Sequence, residues 1–296
     1  MPCVNPLEGW FSRERTQRGK RSVVFDLKAA FSDLPVSVPC GQCIGCRLEY
    51  ARTWAIRCMH EASLHNENCF VTLTYDDKHL PAGGSLRKAD FTNFMKRLRS
   101  RFVGQRIRFF QSGEYGSGTL RPHHHCLLFG FDFPDKVSWS DRNGYKVWTS
   151  DILDETWSHG ITELGSVTFE SAAYCARYVV SKFRGPKEIV EKYYDGLVPE
   201  YATMSLKPGI GADWYAKYGD EVRKFDSVIV NGKEMRPPKY YDRLFEAVSP
   251  EKHGCTMLRR RKRFERLREK DGRGSSRLLA EKDILETRTS LLEGRL

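Results

Sequence analysis

Residues 107–130 constrain the fold of this chain more than any other stretch. Ile107 to Gln111 is β-branched and aromatic. A Gly-rich connection with Gly113, Gly116 and Gly118 follows, and His123 to Phe129 runs into an apolar stretch. That order of period and punctuation predicts a β-hairpin. Successive strand side chains alternate faces, so His123 and His125 point together and His124 points away. Folding about the Gly-Ser-Gly centre sets Glu114 nearly opposite His123, on the same face. A one-residue slip brings Gln111 or Ser112 there instead. Two imidazoles and a carboxylate suit Mn²⁺ or Zn²⁺, and Mg²⁺ less well, by ligand softness. The competing reading is a surface histidine cluster with Glu114 as a solvated loop acid.

A second cluster lies upstream. Cys40, Cys43 and Cys46 come in quick succession with Gly41 and Gly45 between them, among nine cysteines in all. Glycine-spaced cysteines at the head of a helix are the pattern of a metal knuckle, and structural Zn²⁺ is the expected ion. Cys3 is the first candidate for the fourth ligand, with Cys58 or His60 behind it. An iron–sulfur cluster also uses this spacing, and three reduced cysteines at a tight turn are the plainer alternative. The absence of a secretory apolar region at the start favours metal or free thiols over disulfides.

The formal charge of +11 over 296 residues points to an anionic partner. Nucleic acid comes before membrane, because no stretch resembles a basic amphipathic anchor. No apolar run approaches the roughly 18 residues needed to span a bilayer. Residues 251–296 carry 14 Lys/Arg against 8 Asp/Glu, with Arg259 to Arg263 the sharpest run. This tail reads as a charged helix or a partly disordered DNA handle. The chain therefore divides into an N-terminal segment with the cysteines (1–47), a main domain (48–247) and a basic tail (248–296).

Within the main domain, helices are expected at Leu48–Leu64, at Lys88–Phe102 and at Ala212–Val222. Phe70–Tyr75 reads as a strand. The helix at Lys88 carries Lys96, Arg97, Arg99 and Arg101 on its polar side, a solvated face or a phosphate-contacting one. An Asn143-Gly144 turn, a short helix near Asp151–Ser158 stopped by Gly160, and a strand at Ile161–Val167 follow. Thr168 can then cap a helix that runs to Phe183. On it Tyr174, Tyr178 and Lys182 fall at i, i+4 and i+8 and share one face. Taken alone, those tyrosines read as half-buried core residues.

The order of these stretches is informative. Phe70-Val-Thr-Leu-Thr-Tyr75, Arg121-Pro-His-His-His125 and Tyr174-Cys-Ala-Arg-Tyr178 resemble the three ordered motifs of HUH endonucleases, which start rolling-circle DNA replication. With Pro39-Cys-Gly-Gln-Cys-Ile-Gly-Cys-Arg47, Trp54–Glu61, Gly113-Glu-Tyr-Gly116, Lys207–Gly211 and Pro238–Arg243, the chain is similar to replication initiators of microviruses, especially gokushoviruses. The likeness covers about residues 39–245. In that family the residue between the motif histidines is usually hydrophobic, whereas here it is His124.

The resemblance implies an α+β fold, a small antiparallel sheet of the HUH/Rep type (an RRM-like palm) with helices packed on one side. It implies Mg²⁺ or Mn²⁺ at the histidine pair, Tyr174 and Tyr178 as nucleophiles, and Lys182 as a phosphate or phenolate partner. The implied reaction nicks the viral origin through a 5′-phosphotyrosine and later rejoins the strand. Origin DNA, host helicase and host polymerase would be the partners, in the host bacterial cytoplasm. A non-enzymatic basic DNA-binding protein with structural zinc is the alternative; it explains charge and cysteines but not the aligned tyrosines.

Overall fold

The computed structural model describes residues 3–17, 19, 21–116, 118–142, 144–181, 187–271 and 275–293. The side chains of 142, 178–181, 187–190, 267–271, 275–277 and 290–293 are outside the description. Asn143 and Lys182 lie outside the described residues. In chain order the elements open with β1 (Leu7–Arg15), β2 (Arg21–Val24), β3 (Val36–Val38) and α1 (Ile44–Ala62). Next come β4 (Asn68–Thr74), α2 (Lys88–Arg101), β5 (Arg108–Tyr115), β6 (Pro122–Phe129), β7 (Val137–Arg142) and β8 (Tyr145–Thr149). They are followed by α3 (Asp151–Trp157), β9 (Thr162–Gly165), α4 (Phe169–Ser181), α5 (Lys187–Tyr194), β10 (Tyr201–Met204) and α6 (Ala212–Phe225). The chain closes with β11 (Val228–Val230), β12 (Lys233–Met235), α7 (Lys239–Val248), α8 (Pro250–Asp271) and α9 (Ser275–Glu293). None of these helices is long and apolar enough to cross a membrane among the described residues.

Two units emerge, one of Tyr50–Arg260 and one of Met1–Glu49 with Arg261–Leu296. The larger is α+β, built on a 7-stranded antiparallel sheet in the order β10-β5-β6-β4-β9-β8-β7. Strand alternation divides its side chains between two cores. Cys69, Val71 and Leu73 of β4 and Cys126 and Leu128 of β6 pack with Phe91, Phe94 and Leu98 of α2 and Trp157 of α3. The opposite face presents Phe110, Leu127 and Phe129 to Ala51, Ala55 and Cys58 of α1 and to Ala172, Cys175 and Ala176 of α4. Helices thus cover both faces, not one. The cause is visible in β6, where Cys126–Phe129 is an unbroken apolar run, the signature of a strand buried on both sides.

Other elements differ from expectation for local reasons. Strand β5 continues through Gly113, which the sequence reading places in the connection. Gly113 stays extended because the Tyr201 ring lies over it, and a Cβ there would meet that ring at 2.9 Å. Helix α3 has the expected extent, but its left-handed cap is Ser158 (φ 56°) and not Gly160. Three of the arginines on α2 are engaged within the protein. Arg97 donates to the carbonyls of Thr156 and Trp157, Arg99 to that of Ile107, and Arg101 pairs with Glu155.

The tail is helical in α8 and α9. Its basic run is partly internal, since Arg260 pairs with Asp226 and Asp242. In the smaller unit, β1, β2 and β3 form a separate 3-stranded sheet, which the sequence reading of an N-terminal segment with cysteines did not include.

Candidate functional site

The register of the β5–β6 hairpin pairs Glu114 with His123 and Ser112 with His125. No slip occurs, so Glu114, His123 and His125 share one face, the face covered farther along by α1 and α4. Their ligating atoms all lie within 4.8 Å of one another. His125 Nε2 stands 2.6 Å and His123 Nε2 3.3 Å from Glu114 Oε1. The other ring nitrogens are already engaged. His123 Nδ1 lies 3.0 Å from the Arg121 carbonyl oxygen, and His125 Nδ1 lies 3.0 Å from Thr72 Oγ1. Both imidazoles are therefore oriented by their Nδ1 atoms so that Nε2 converges on the carboxylate, as hydrogen bonds to the far ring nitrogen orient metal-binding histidines.

Burial sharpens this picture. Glu114 is 1% exposed, and its two carboxylate oxygens and His125 Nε2 are buried without a well-formed hydrogen bond. Close approach without hydrogen-bond alignment, at buried polar atoms, fits a donor set that shares a cation. Burial pushes the Glu114 carboxyl up, but the imidazoles of His125 and His123 outweigh it and hold its pKa at about 2. Burial pushes His123 down, but the contact with Glu114, the Arg121 carbonyl and the charge of Glu200 carry it above the usual imidazole value. A carboxylate with two imidazoles suits Mn²⁺ or Zn²⁺, and takes Mg²⁺ less readily.

His124 does a different job. It points to the opposite face and is fully buried beside Phe91 and Trp157. Its Nδ1 meets the Gln111 amide nitrogen at 3.1 Å and its Nε2 the Tyr75 hydroxyl at 3.2 Å. Tyr75 donates onward to Asp90, and Thr203 donates to Gln111 Oε1. Burial lowers the His124 pKa to about 3, so the ring is a neutral core residue, equivalent in place to a hydrophobic one.

Helix α4 brings the tyrosine to the metal face. Thr168 and Ser171 cap it reciprocally, with the Ser171 N–H on Thr168 Oγ1 and the Thr168 N–H on Ser171 Oγ. Ala172, Cys175 and Ala176 are small enough to seat the helix on the sheet. Tyr174 then stands against His125, ring centroids 4.9 Å apart and near perpendicular, with the Arg177 guanidinium 5.9 Å from the Tyr174 ring centroid. Tyr178 is one turn further along α4, with its side chain outside the described residues, and Lys182 is beyond them.

Thr72, Arg121 and Glu200 were not singled out as site residues from the sequence. Thr72 carries a signal in retrospect, since it pairs with His125 across β4–β6. Arg121 acts through its backbone carbonyl, which has no sequence signature. Glu200 comes from a loop 77 positions beyond His123 and accepts the Tyr115 N–H.

The cysteine cluster forms a second group. The sulfurs of Cys3, Cys40, Cys43 and Cys46 all lie within 4.8 Å of one another. Cys3 is therefore the fourth member. Cys58 is buried in the core of the larger unit, and His60 stacks on Trp214 with its Nδ1 on the Tyr241 hydroxyl, so neither belongs to the cluster.

Residues 68–183 match the family described as Replication-associated protein ORF2/G2P. The chain is 35% identical to replication-associated protein VP4 of Bdellovibrio phage phiMH2K, over 85% of this chain and 79% of that one. It is 36% identical to replication-associated protein ORF2 of Spiroplasma virus 4, over 71% and 68%. With replication-associated protein ORF4 of Chlamydia phage 1 it shares 30% identity over 72% and 55%. No solved structure matches.

Proposed function

The chain belongs to the ORF2/G2P replication-associated protein family of microviruses, and from that premise we propose that it nicks one strand of the phage origin by transesterification. The observation that carries this reading is the buried Glu114–His123–His125 set, short of hydrogen-bond partners, with Tyr174 against it. A basic DNA-binding protein needs no such convergence of ligands and phenol.

Glu114, His123 and His125 would hold Mg²⁺ or Mn²⁺, which supplies Lewis-acid polarisation of the scissile phosphate. The protein's own groups then do the following. Thr72 and the Arg121 carbonyl keep both imidazoles aimed at the carboxylate. Helix α4, fixed by its cap and its small residues, holds the Tyr174 ring edge-on to His125, which suits delivery of its hydroxyl to a phosphate at that set. The Tyr174 oxygen attacks phosphorus in line. A Tyr–O–P bond forms, the P–O3′ bond breaks, and the 3′ oxygen leaves with the electron pair and takes up a proton. A phenol loses its proton nearer neutral pH than an alcohol, which suits it to this role.

The phosphotyrosine keeps the energy of the ester, so a later 3′-hydroxyl can rejoin the strand without a nucleotide cofactor. Tyr178 is assigned the second transfer and Lys182 a phosphate contact, both by motif position. The free 3′-hydroxyl serves the host polymerase, a host helicase separates the strands, and the bacterial cytoplasm is where both are met. We assign the nicking domain to 48–247.

The sheet also offers a path for the strand. Thr74 of β4 pairs with His123 and so lies on the metal face. Along that face, away from α1 and α4, Ile161 is 66% and Tyr145 50% exposed. An exposed aromatic ring on that face suits stacking of unpaired bases.

A denaturing gel of the protein with single-stranded origin-region oligonucleotides tests the proposal. A covalent adduct that needs Mn²⁺ and vanishes with EDTA is expected. Tight DNA binding with no adduct on any strand of the origin region overturns it.

A further inference from the structure

We propose that Cys3, Cys40, Cys43 and Cys46 hold a single zinc ion as a tetrathiolate, and that this ion fastens the start of the chain to the head of α1. This stands independently of the nicking reaction, since it concerns the smaller unit alone.

The geometry fits one ion. A tetrahedral zinc with Zn–S bonds of about 2.3 Å separates its sulfurs by about 3.8 Å. Cys3 Sγ lies 3.6 Å from Cys40 Sγ and 3.7 Å from Cys43 Sγ, and all four sulfurs fall within 4.8 Å. In a four-iron cluster each cysteine binds a different iron, which spreads the sulfurs wider than this. The backbone is arranged for anionic sulfur. The Gln42 and Cys43 N–H groups point at Cys40 Sγ, at 3.5 and 3.3 Å, and the Cys40 N–H points at Cys3 Sγ at 3.3 Å. Gly41 makes that turn at φ +75°, a conformation that a side chain would strain. Four soft thiolates in a closed set select zinc and leave no open position for substrate.

The smaller unit also needs a staple. Among the described residues 3–43, Ala30 is the single buried hydrophobic side chain. Phe25, Phe31 and Leu34 are 61%, 62% and 72% exposed. The 3-stranded sheet β2-β1-β3 therefore has almost no core of its own, and three short strands are marginal without one. The ion would join residue 3 to residues 40–46 and close a loop that contains the whole sheet. Metal-binding free energy would then act as folding free energy for this segment.

Metal analysis of the full-length protein, and of His123→Ala/His125→Ala, is the test. One equivalent of zinc that survives the histidine substitutions is expected, released when a mercurial reagent titrates the thiols. Cobalt in its place should give sulfur-to-metal charge-transfer bands in the near ultraviolet. Brief alkylation of the native protein should label Cys255, the exposed cysteine, and reach the four cluster thiols only after chelation. Limited proteolysis of Cys43→Ser/Cys46→Ser should cut within 7–38 at least ~10-fold faster, while 50–260 resists. Three results overturn the proposal: no zinc in the native protein, zinc lost with the histidines, or cluster thiols that alkylate as fast as Cys255 before chelation. Bound iron with sulfide would also overturn it.

Discussion

The Tyr174 ring meets the His125 ring nearly edge-on, at 83° and 4.9 Å between centroids, so the phenol and the candidate metal-binding set share one small volume. Two elements far apart in sequence create that volume, strand β6 and helix α4. If the phenol is the nucleophile, Tyr174→Phe removes the attacking atom and leaves the packing nearly unchanged. Single-turnover adduct formation should fall by about 10²-fold or more, while affinity for the oligonucleotide moves by less than about 2-fold. Adduct formation at the native rate would transfer the role elsewhere.

Thr72 offers a test of positioning rather than ligation. Its hydroxyl lies 3.0 Å from His125 Nδ1. Thr72→Val keeps shape and strand propensity but frees the ring to turn. Loss of such outer partners costs about 10–100-fold in metal affinity. Manganese titration should show a weakening of that order, and nicking should recover at high Mn²⁺. Unchanged affinity would mean that packing against Phe70 orients the ring instead.

His124 should behave unlike its neighbours. His124→Ala opens a cavity in the α2-side core and strips partners from Gln111 and Tyr75. A loss of about 2–4 kcal/mol is expected in denaturant unfolding. Metal stoichiometry at the hairpin should not change, whereas His125→Ala should abolish it. Isothermal titration with Mn²⁺ of each variant separates the two cases.

How far the sequence reached can be judged residue by residue. The Glu114–His123 pairing was readable because a strand has a period of two and the hairpin has a short, glycine-marked connection. The same arithmetic put His124 on the other face. What it lacked was any means of seeing helices on both sides of the sheet, since α1 and α4 reach the second face through tertiary contacts of small residues such as Ala55 and Ala172. Gly113 looked like turn chemistry until Tyr201 was seen lying over it. Arg97 and Arg99 of α2 looked free because their acceptors are carbonyls of Thr156, Trp157 and Ile107. Carbonyls leave no mark in a sequence. Membership of Cys3 in the cysteine group was likewise only one option among three until the fold of 1–49 was known.

The titrating pair gives a pH signature. In the metal-free protein His123 has a raised pKa. Stability from that shift is fully present below about pH 6.5 and is lost as pH rises through the higher folded value. Glu114, held at about 2, contributes stability above its usual range, lost as pH falls toward 2. Metal binding requires neutral His123, so its affinity should rise over the window where the metal-free protein weakens. Melting curves in EDTA should therefore fall in Tm from about pH 6 to pH 9. With saturating Mn²⁺ the stabilisation should be larger at the upper end than at the lower. Equal stabilisation across the window would show that His123 is not a ligand.

The open part of the sheet face gives the last test. Tyr145 and Ile161 lie exposed on the face that carries Glu114, His123 and His125, on strand β8 and just before strand β9. Base stacking on an aromatic ring is worth about 1–3 kcal/mol per base. Tyr145→Ala should therefore weaken binding of a single-stranded origin oligonucleotide by about 5–100-fold. The loss should be smaller for the duplex, whose bases are already stacked. Because the substitution is remote from Tyr174, adduct formation at saturating DNA should keep its rate, with the whole effect in the concentration needed to reach it. A slower rate at saturation would place Tyr145 in the alignment of the scissile phosphate. No effect on either quantity would remove this face from the path of the strand.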